Sequence, residues 1–321
     1  MNFDQNNQVT RSPQFWFEDG SVVLQAESTQ FRVHFGVLGN YIPFFEGMAD
    51  SSFPQPEGEP TVEGAPVMTL HDSAEDVKHM LTALYTDRYE SENAIPLDAV
   101  AAMLRMGDKY MIPYLQHRGR SALVKEFPSK LEEFRKTMFA PGIDCTAGSG
   151  ISDLNLDQEP GNILKIIRLA LRHNLERILP AVLGVPAFKG VKYILRMGNT
   201  DPLSPFARGW EGVCLLGREN LFDAYDWQFR WVMGLGVRDS CSSKEQCAEA
   251  SIRLTHRLWR PKPDVRRMYQ SWQSFKAEGT IGNAVGRLCP ACMQWANDSF
   301  DEAGNVFWSQ FPAYFGREPW I

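Results

Sequence analysis

Residues 31–48 read Phe31-Arg32-Val33-His34-Phe35-Gly36-Val37-Leu38-Gly39-Asn40-Tyr41-Ile42-Pro43-Phe44-Phe45-Glu46-Gly47-Met48, and their apolar period changes part-way. Phe31 and Val33 alternate with Arg32 and His34, the period of two that marks a half-buried strand. From Val37 the apolar positions 37, 41, 44, 45 and 48 follow helical spacing, with Pro43 breaking it into two short pieces. A strand that runs straight into a short helix is therefore expected here. Working upstream, Ser21-Val22-Val23-Leu24-Gln25 is a second β-rich run, and the polar turn Glu27-Ser28-Thr29 makes the pair a hairpin. Working downstream, residues 49–66 hold four prolines, two glycines and four acids, which predicts an exposed loop. Val67-Met68-Thr69-Leu70 then reads as a short strand. Asp72 and Glu75, three apart, form a capping-box pattern ahead of Val77, Met80, Leu81, Leu84 and Tyr85 at i, i+3, i+4, i+7 and i+8, a helix signature. Further helices are predicted from about Leu97 to Tyr110 and from about Ile112 to Phe127.

Beyond this α/β portion the pattern is mainly helical. Ala140 to Pro160 is rich in Gly, Ser and Asp and reads as a linker. Ile163, Ile166, Ile167, Ala170 and Leu171 repeat at helical spacing behind a candidate Asn162 cap, and Leu175, Ile178 and Leu179 continue the pattern up to Pro180. The longest apolar stretch, Ile178–Phe188, is interrupted by Pro180, Gly184 and Pro186. Leu215, Leu216, Leu221 and Phe222 mark another helix. Eight of the nine tryptophans lie between Trp210 and Trp320, which predicts a second packed core. The expected fold class is α+β, an N-terminal α/β domain followed by a mainly helical one.

Composition excludes several functions. With 44% hydrophobic residues in 321, the chain can bury one large or two ordinary cores. The net charge of −6 divides into −8 over residues 1–140 (20 acids, 12 bases) and +2 over 141–321 (19 acids, 21 bases). Neither part has the concentrated positive charge that neutralises phosphates, which argues against nucleic acid. The local run Arg253, His256, Arg257, Arg260, Lys262, Arg266 and Arg267 reads as a solvated face and is also the candidate surface for an acidic partner. The polar N-terminus is unlike a signal peptide, and no run approaches the ~18 apolar residues of a membrane span. An intracellular chain follows, cytoplasmic or nuclear, with its thiols reduced. Phosphate-loop, dinucleotide, nucleophile-elbow and zinc-protease motifs are absent from the sequence, so no enzyme is expected.

The order strand, strand, helix, strand, helix, helix, helix over 15–127 resembles the BTB/POZ domain. Phe31, His34, Val37, Leu38, Pro43 and Phe45 fall on that family's strand-to-helix pattern, with Ile42 where Ser is common. Ala83-Leu84-Tyr85-Thr86 and Ala102-Met103-Leu104-Arg105-Met106-Gly107-Asp108-Lys109-Tyr110 resemble two of its later helices. The whole chain is similar to the BTB proteins numerous in mushroom-forming fungi, through Phe15-Trp16-Phe17-Glu18-Asp19-Gly20 followed by Val22-Val23-Leu24-Gln25-Ala26-Glu27, through Leu288-Cys289-Pro290-Ala291-Cys292, and through the ending Phe307-Trp308, Pro312, Phe315-Gly316, Pro319-Trp320. The resemblance implies a BTB/POZ-like domain at 15–135, and the composition on either side of it a flexible tail at 1–14, a linker at 136–160 and a helical, Trp-rich domain at 161–321. It implies a non-catalytic adaptor or scaffold that binds proteins, pairs with a second copy of itself, and uses His34 structurally. In the wider family the partner is a like domain or a cullin scaffold, and the proline-rich stretch at 49–66 argues against the cullin. The rings of Phe15, Trp16 and Phe17 have no evident partner in a small core and favour a homodimer. The alternative is a nuclear regulator whose Cys-containing tail binds nucleic acid.

The cysteines carry the remaining chemistry. Cys289-Pro290-Ala291-Cys292 has the spacing at which two thiolates reach one tetrahedral ion, and Cys241 with Cys247 is the other close pair. Three readings stand: a structural zinc site formed by Cys241, Cys247, Cys289 and Cys292, a set of inert buried thiols, and a redox pair. Cys145 and Cys214 have no partner by spacing.

Overall fold

A computed structural model gives the fold for residues 9–46, 60–86, 89, 95–138, 151, 156 and 159–320. Two compact units result, one ending at Glu126 and also including Ile151, the other beginning at Phe127. The fold class is α+β.

The first unit is built on a five-stranded sheet in the order β1-β3-β2-β5-β4. Its strands are β1 (Thr10–Trp16), β2 (Val22–Ala26), β3 (Thr29–Val33), β4 (Thr61–Val62) and β5 (Ala65–Leu70). β2 and β3 form the expected hairpin, with Val22 opposite Val33 and Leu24 opposite Phe31, while β5 runs parallel to β2 with Met68 beside Leu24. Val22, Val23 and Leu24 are all fully buried, so both faces of the central strand are covered. Helices α1 (Phe35–Gly39), α2 (Ala74–Tyr85), α3 (Leu97–Lys109) and α4 (Pro113–Glu126) complete the unit, with Val77, Met80 and Leu81 of α2 inside. α3 and α4 cross closely at Gly107, where a Cβ would lie 2.9 Å from the backbone nitrogen of Gln116. Arg105 clamps Asp76 at 2.5–2.9 Å, and Asp72 takes both Lys109 Nζ at 2.7 Å and the Tyr110 hydroxyl at 2.6 Å, tying α2 to α3.

Several expectations need correction here. Residues 10–14 are not tail: they belong to β1, which pairs parallel with β3 and turns Ser12 and Phe15 inward. Pro13 and the polar side chains hid it, and an edge strand tolerates both. Within the expected loop, 60–66 carry the β4–β5 hairpin, turned by Glu63 and Gly64 at positive φ; residues 47–59, and so most of the stretch that argued against a cullin, lie outside the described residues. The cap of α2 is Ser73, whose hydroxyl accepts from Asp76 N–H at 3.1 Å, one residue along from the pair read in the sequence.

The second unit is helical: α5 (Leu131–Met138), α6 (Gly161–Arg172), α7 (Leu179–Lys189), α8 (Val191–Gly198), α9 (Pro205–Gln228), α10 (Lys244–Trp259), α11 (Trp272–Ala277), α12 (Gly279–Val285) and α13 (Pro290–Gln310). α5, placed from sequence in the first domain, packs in this one: Phe134 lies 4.8 Å from Trp308 and 5.3 Å from Tyr269, and Arg135 donates to the carbonyls of Tyr269 and Gln270. The expected linker at 136–160 overlaps α5 at its start, and Ile151 bridges to Ile95 of the first unit; 139–150 lie outside the described residues. Asn162 is not a cap but a buried side chain bonded to Glu159. The apolar run broken by Pro180, Gly184 and Pro186 is in fact one helix, α7, because Pro180 falls in its first turn, where no N–H is needed. The tryptophan-rich core is real: Phe229, Phe275 and Phe300 form its other centre, with Trp231 and Trp272 against them. Among the described residues no single helix is long and apolar enough to cross a membrane.

Candidate functional site

Four sulfurs converge in the second unit. Cys241 lies in the loop between Leu235 and α10, Cys247 sits in the first turn of α10, Cys289 immediately precedes α13 and Cys292 lies in the first turn of α13. All four are buried and free, and their Sγ atoms lie within 4.8 Å of one another, with Cys289 to Cys241 at 3.9 Å. Residues separated by 41 positions in sequence thus meet at one point, because α12 turns the chain back beside α10. A tetrahedral ion with metal–sulfur bonds of ~2.3 Å needs sulfurs roughly 3.7 Å apart, so little movement separates this cluster from a ligand set.

Backbone donors surround the sulfurs. Cys289 N–H donates to Cys247 Sγ at 3.3 Å. The backbone of Cys292 and both the side chain and backbone of Ser242 favour the Cys289 thiolate, and the backbone of Gly236 favours that of Cys292. Together they hold the Cys289 thiol down to about 5. Burial pushes Cys247 up to about 12 and raises Cys292 as well. Gly236 is needed for its place: it has φ +78°, and a Cβ there would meet Ala248 N at 2.7 Å. No spacing or motif signals the Gly236 and Ser242 roles, which come from loop conformation. Cys214 lies apart in α9, buried and pushed up to about 12, while Cys145 lies outside the described residues.

Three of the seven bases of the basic run are held in ion pairs, and His256, Arg257, Arg260 and Lys262 are exposed. Arg253 pairs with Glu249 at 2.6 Å, Arg266 with Asp264 at 2.8 Å and Arg267 with Glu278 at 3.1 Å. The open groove beside it, lined by Glu132, Arg135, Asp264, Arg266, Arg267 and Glu278, alternates acids and bases that bind each other.

In the first unit, His34 stands where β3 hands over to α1. Its backbone N–H donates to the Tyr85 hydroxyl at 2.9 Å, its ring nitrogens lie 3.3 Å from that hydroxyl and 3.2 Å from Asp19, and Phe17 packs on it at 5.2 Å. This links the hairpin to the end of α2 and is a structural arrangement. The same contacts correct the argument from unpartnered rings: Phe15 is buried against Tyr85, Phe17 stacks on Tyr85 at 5.3 Å, and Trp16 lies under Arg11. The exposed rings are others. Tyr41 and Phe44, which follow helical spacing in the sequence, face outward, and Phe44 is 60% exposed in the short turn that Pro43 starts. Tyr41 lies 6.2 Å from Tyr114, and Met111, at the turn into α4, is 65% exposed.

Residues 17–126 match the family model for the BTB/POZ domain. The BTB/POZ domain ends at the residue where the first compact unit ends. The chain therefore carries a protein-interaction module ahead of its helical unit. No curated protein and no solved structure matches the chain significantly.

Proposed function

We propose that this protein is a non-catalytic adaptor whose BTB/POZ domain binds a second copy of the chain, leaving the helical unit to engage another protein. The match over 17–126 carries this reading. The exposed rings of Tyr41 and Phe44, three residues apart in the chain, support this stretch as the contact face, since exposed rings are the residues that anchor protein interfaces. Light scattering on the full chain at tens of micromolar, the range of a moderate-affinity pair, should report twice the monomer mass. Phe44→Glu should return it to the monomer with an unchanged circular dichroism spectrum. A monomer for the unsubstituted chain would count against self-association, and a dimer untouched by Phe44→Glu would move the contact elsewhere.

A further inference from the structure

The loop between Leu235 and α10 poses a packing problem. Of residues 236–243, Cys241 alone is buried; Val237, Arg238, Asp239 and Ser240 are all exposed, and Val237 is 73% exposed. Apart from the Arg238 guanidinium over the Trp295 ring at 4.4 Å, no side chain of it but Cys241 packs inward, so the hydrophobic effect has little with which to hold these residues in one conformation. Yet the loop lies close on α10, with Gly236 against Ala248, and delivers the Cys241 sulfur to within 3.9 Å of Cys289. What faces that sulfur is three more sulfurs, one from the first turn of α10 and two from the start of α13.

We propose that Cys241, Cys247, Cys289 and Cys292 bind one zinc ion in a closed structural site that fastens the 236–243 loop to the starts of α10 and α13. The donor chemistry selects the ion: four soft thiolates in a tetrahedral array suit zinc, while magnesium and calcium require oxygen. Size selects a single ion. Sulfurs all within 4.8 Å of one another leave no room for an iron–sulfur cluster, whose own sulfides sit between the irons and spread the cysteine ligands. Burial of all four selects a structural role, because no face of the ion is left for water or substrate. Charge is accommodated as well. Binding brings four cysteine sulfurs and Zn²⁺ together as a tetrathiolate of charge −2, with release of every proton the thiols still carry. The Cys289 N–H donates to the Cys247 sulfur, and Cys247, Cys289 and Cys292 stand at the N-termini of α10 and α13, where negative charge is favoured. The site stands on residues of the helical unit alone and does not depend on the dimer.

The test is made on the full chain, purified under reducing conditions without chelator. Elemental analysis should find one zinc per chain. Exchange into cobalt(II) should give the visible d–d bands and near-ultraviolet thiolate-to-metal charge transfer of tetrahedral tetrathiolate cobalt. Cys292→Ser should lose both, and Cys214→Ser, a buried cysteine of α9, should keep them. Should Cys292→Ser fail to fold, the zinc content and cobalt spectrum of the unsubstituted chain still decide. Folded protein without zinc that gives no cobalt charge transfer overturns the proposal, as does mass spectrometry showing these cysteines paired as disulfides in freshly isolated, zinc-free protein.

Discussion

Leu81 and His79 lie two residues apart on α2 and illustrate how position on a helix sets a residue's role. Leu81 is fully buried between sheet and helices, as its spacing from Val77 and Leu84 predicts. Leu81→Ala should lower stability by about 2–5 kcal/mol, the usual cost of truncating a buried leucine; an unchanged denaturation midpoint would refute its core placement. His79 is half-buried, with its Nδ1 2.7 Å from the Tyr89 hydroxyl, and burial lowers its pKa below the ordinary 6.5. Above 6.5 the ring is neutral in both folded and unfolded chains and adds no pH dependence. As the pH falls below 6.5, the unfolded chain takes up a proton that the folded one resists, so stability falls toward the depressed folded value. The loss of thermal midpoint between about pH 7.5 and 5.5 should therefore be smaller in His79→Gln than in the parent chain. Equal losses would mean that His79 titrates normally.

At the scale of elements, β2, β3, α2, α3 and α4 were legible because each carries a clean period, and period survives whatever packs on it. β1 was not legible. Thr10-Arg11-Ser12-Pro13-Gln14 looks like tail, and becomes a strand only because β3 offers it a free edge. The cap of α2 moved by one residue for a similar reason: Asp72, which could have capped, is taken by Lys109 and Tyr110 from α3, and Ser73 caps instead. The α3–α4 crossing gives a prediction in which two effects oppose. Alanine in place of a helical glycine ordinarily gains about 1 kcal/mol. At Gly107, however, the added Cβ meets the Gln116 backbone at 2.9 Å, which cannot rotate away. Overpacking of this kind costs about 1–3 kcal/mol, so Gly107→Ala should be net destabilising in urea unfolding. A stabilised variant would show that the two helices can part cheaply.

Across the whole molecule, tryptophan fluorescence reports mainly the second unit, which holds eight of the nine tryptophans. A chelator with reductant should lower the midpoint of the tryptophan-monitored transition and added zinc should restore it, because metal that binds only the folded chain stabilises it by mass action. A midpoint indifferent to both would leave the cysteine cluster without a part in holding that unit together.

The sequence by itself determined the α+β class, the hairpin leading into a short helix, the helical second part with its aromatic core, and the two cysteine pairs. Each of these is written in local spacing, which a single segment carries unaided. Only the tertiary structure decided the rest. It took α5 into the second unit through Phe134 and Arg135, turned Phe44 outward while hiding Phe15, and brought Cys241 and Cys247 to Cys289 and Cys292. Those outcomes depend on which distant surfaces meet, and the free energy of such meetings comes from area and partners that no local period encodes.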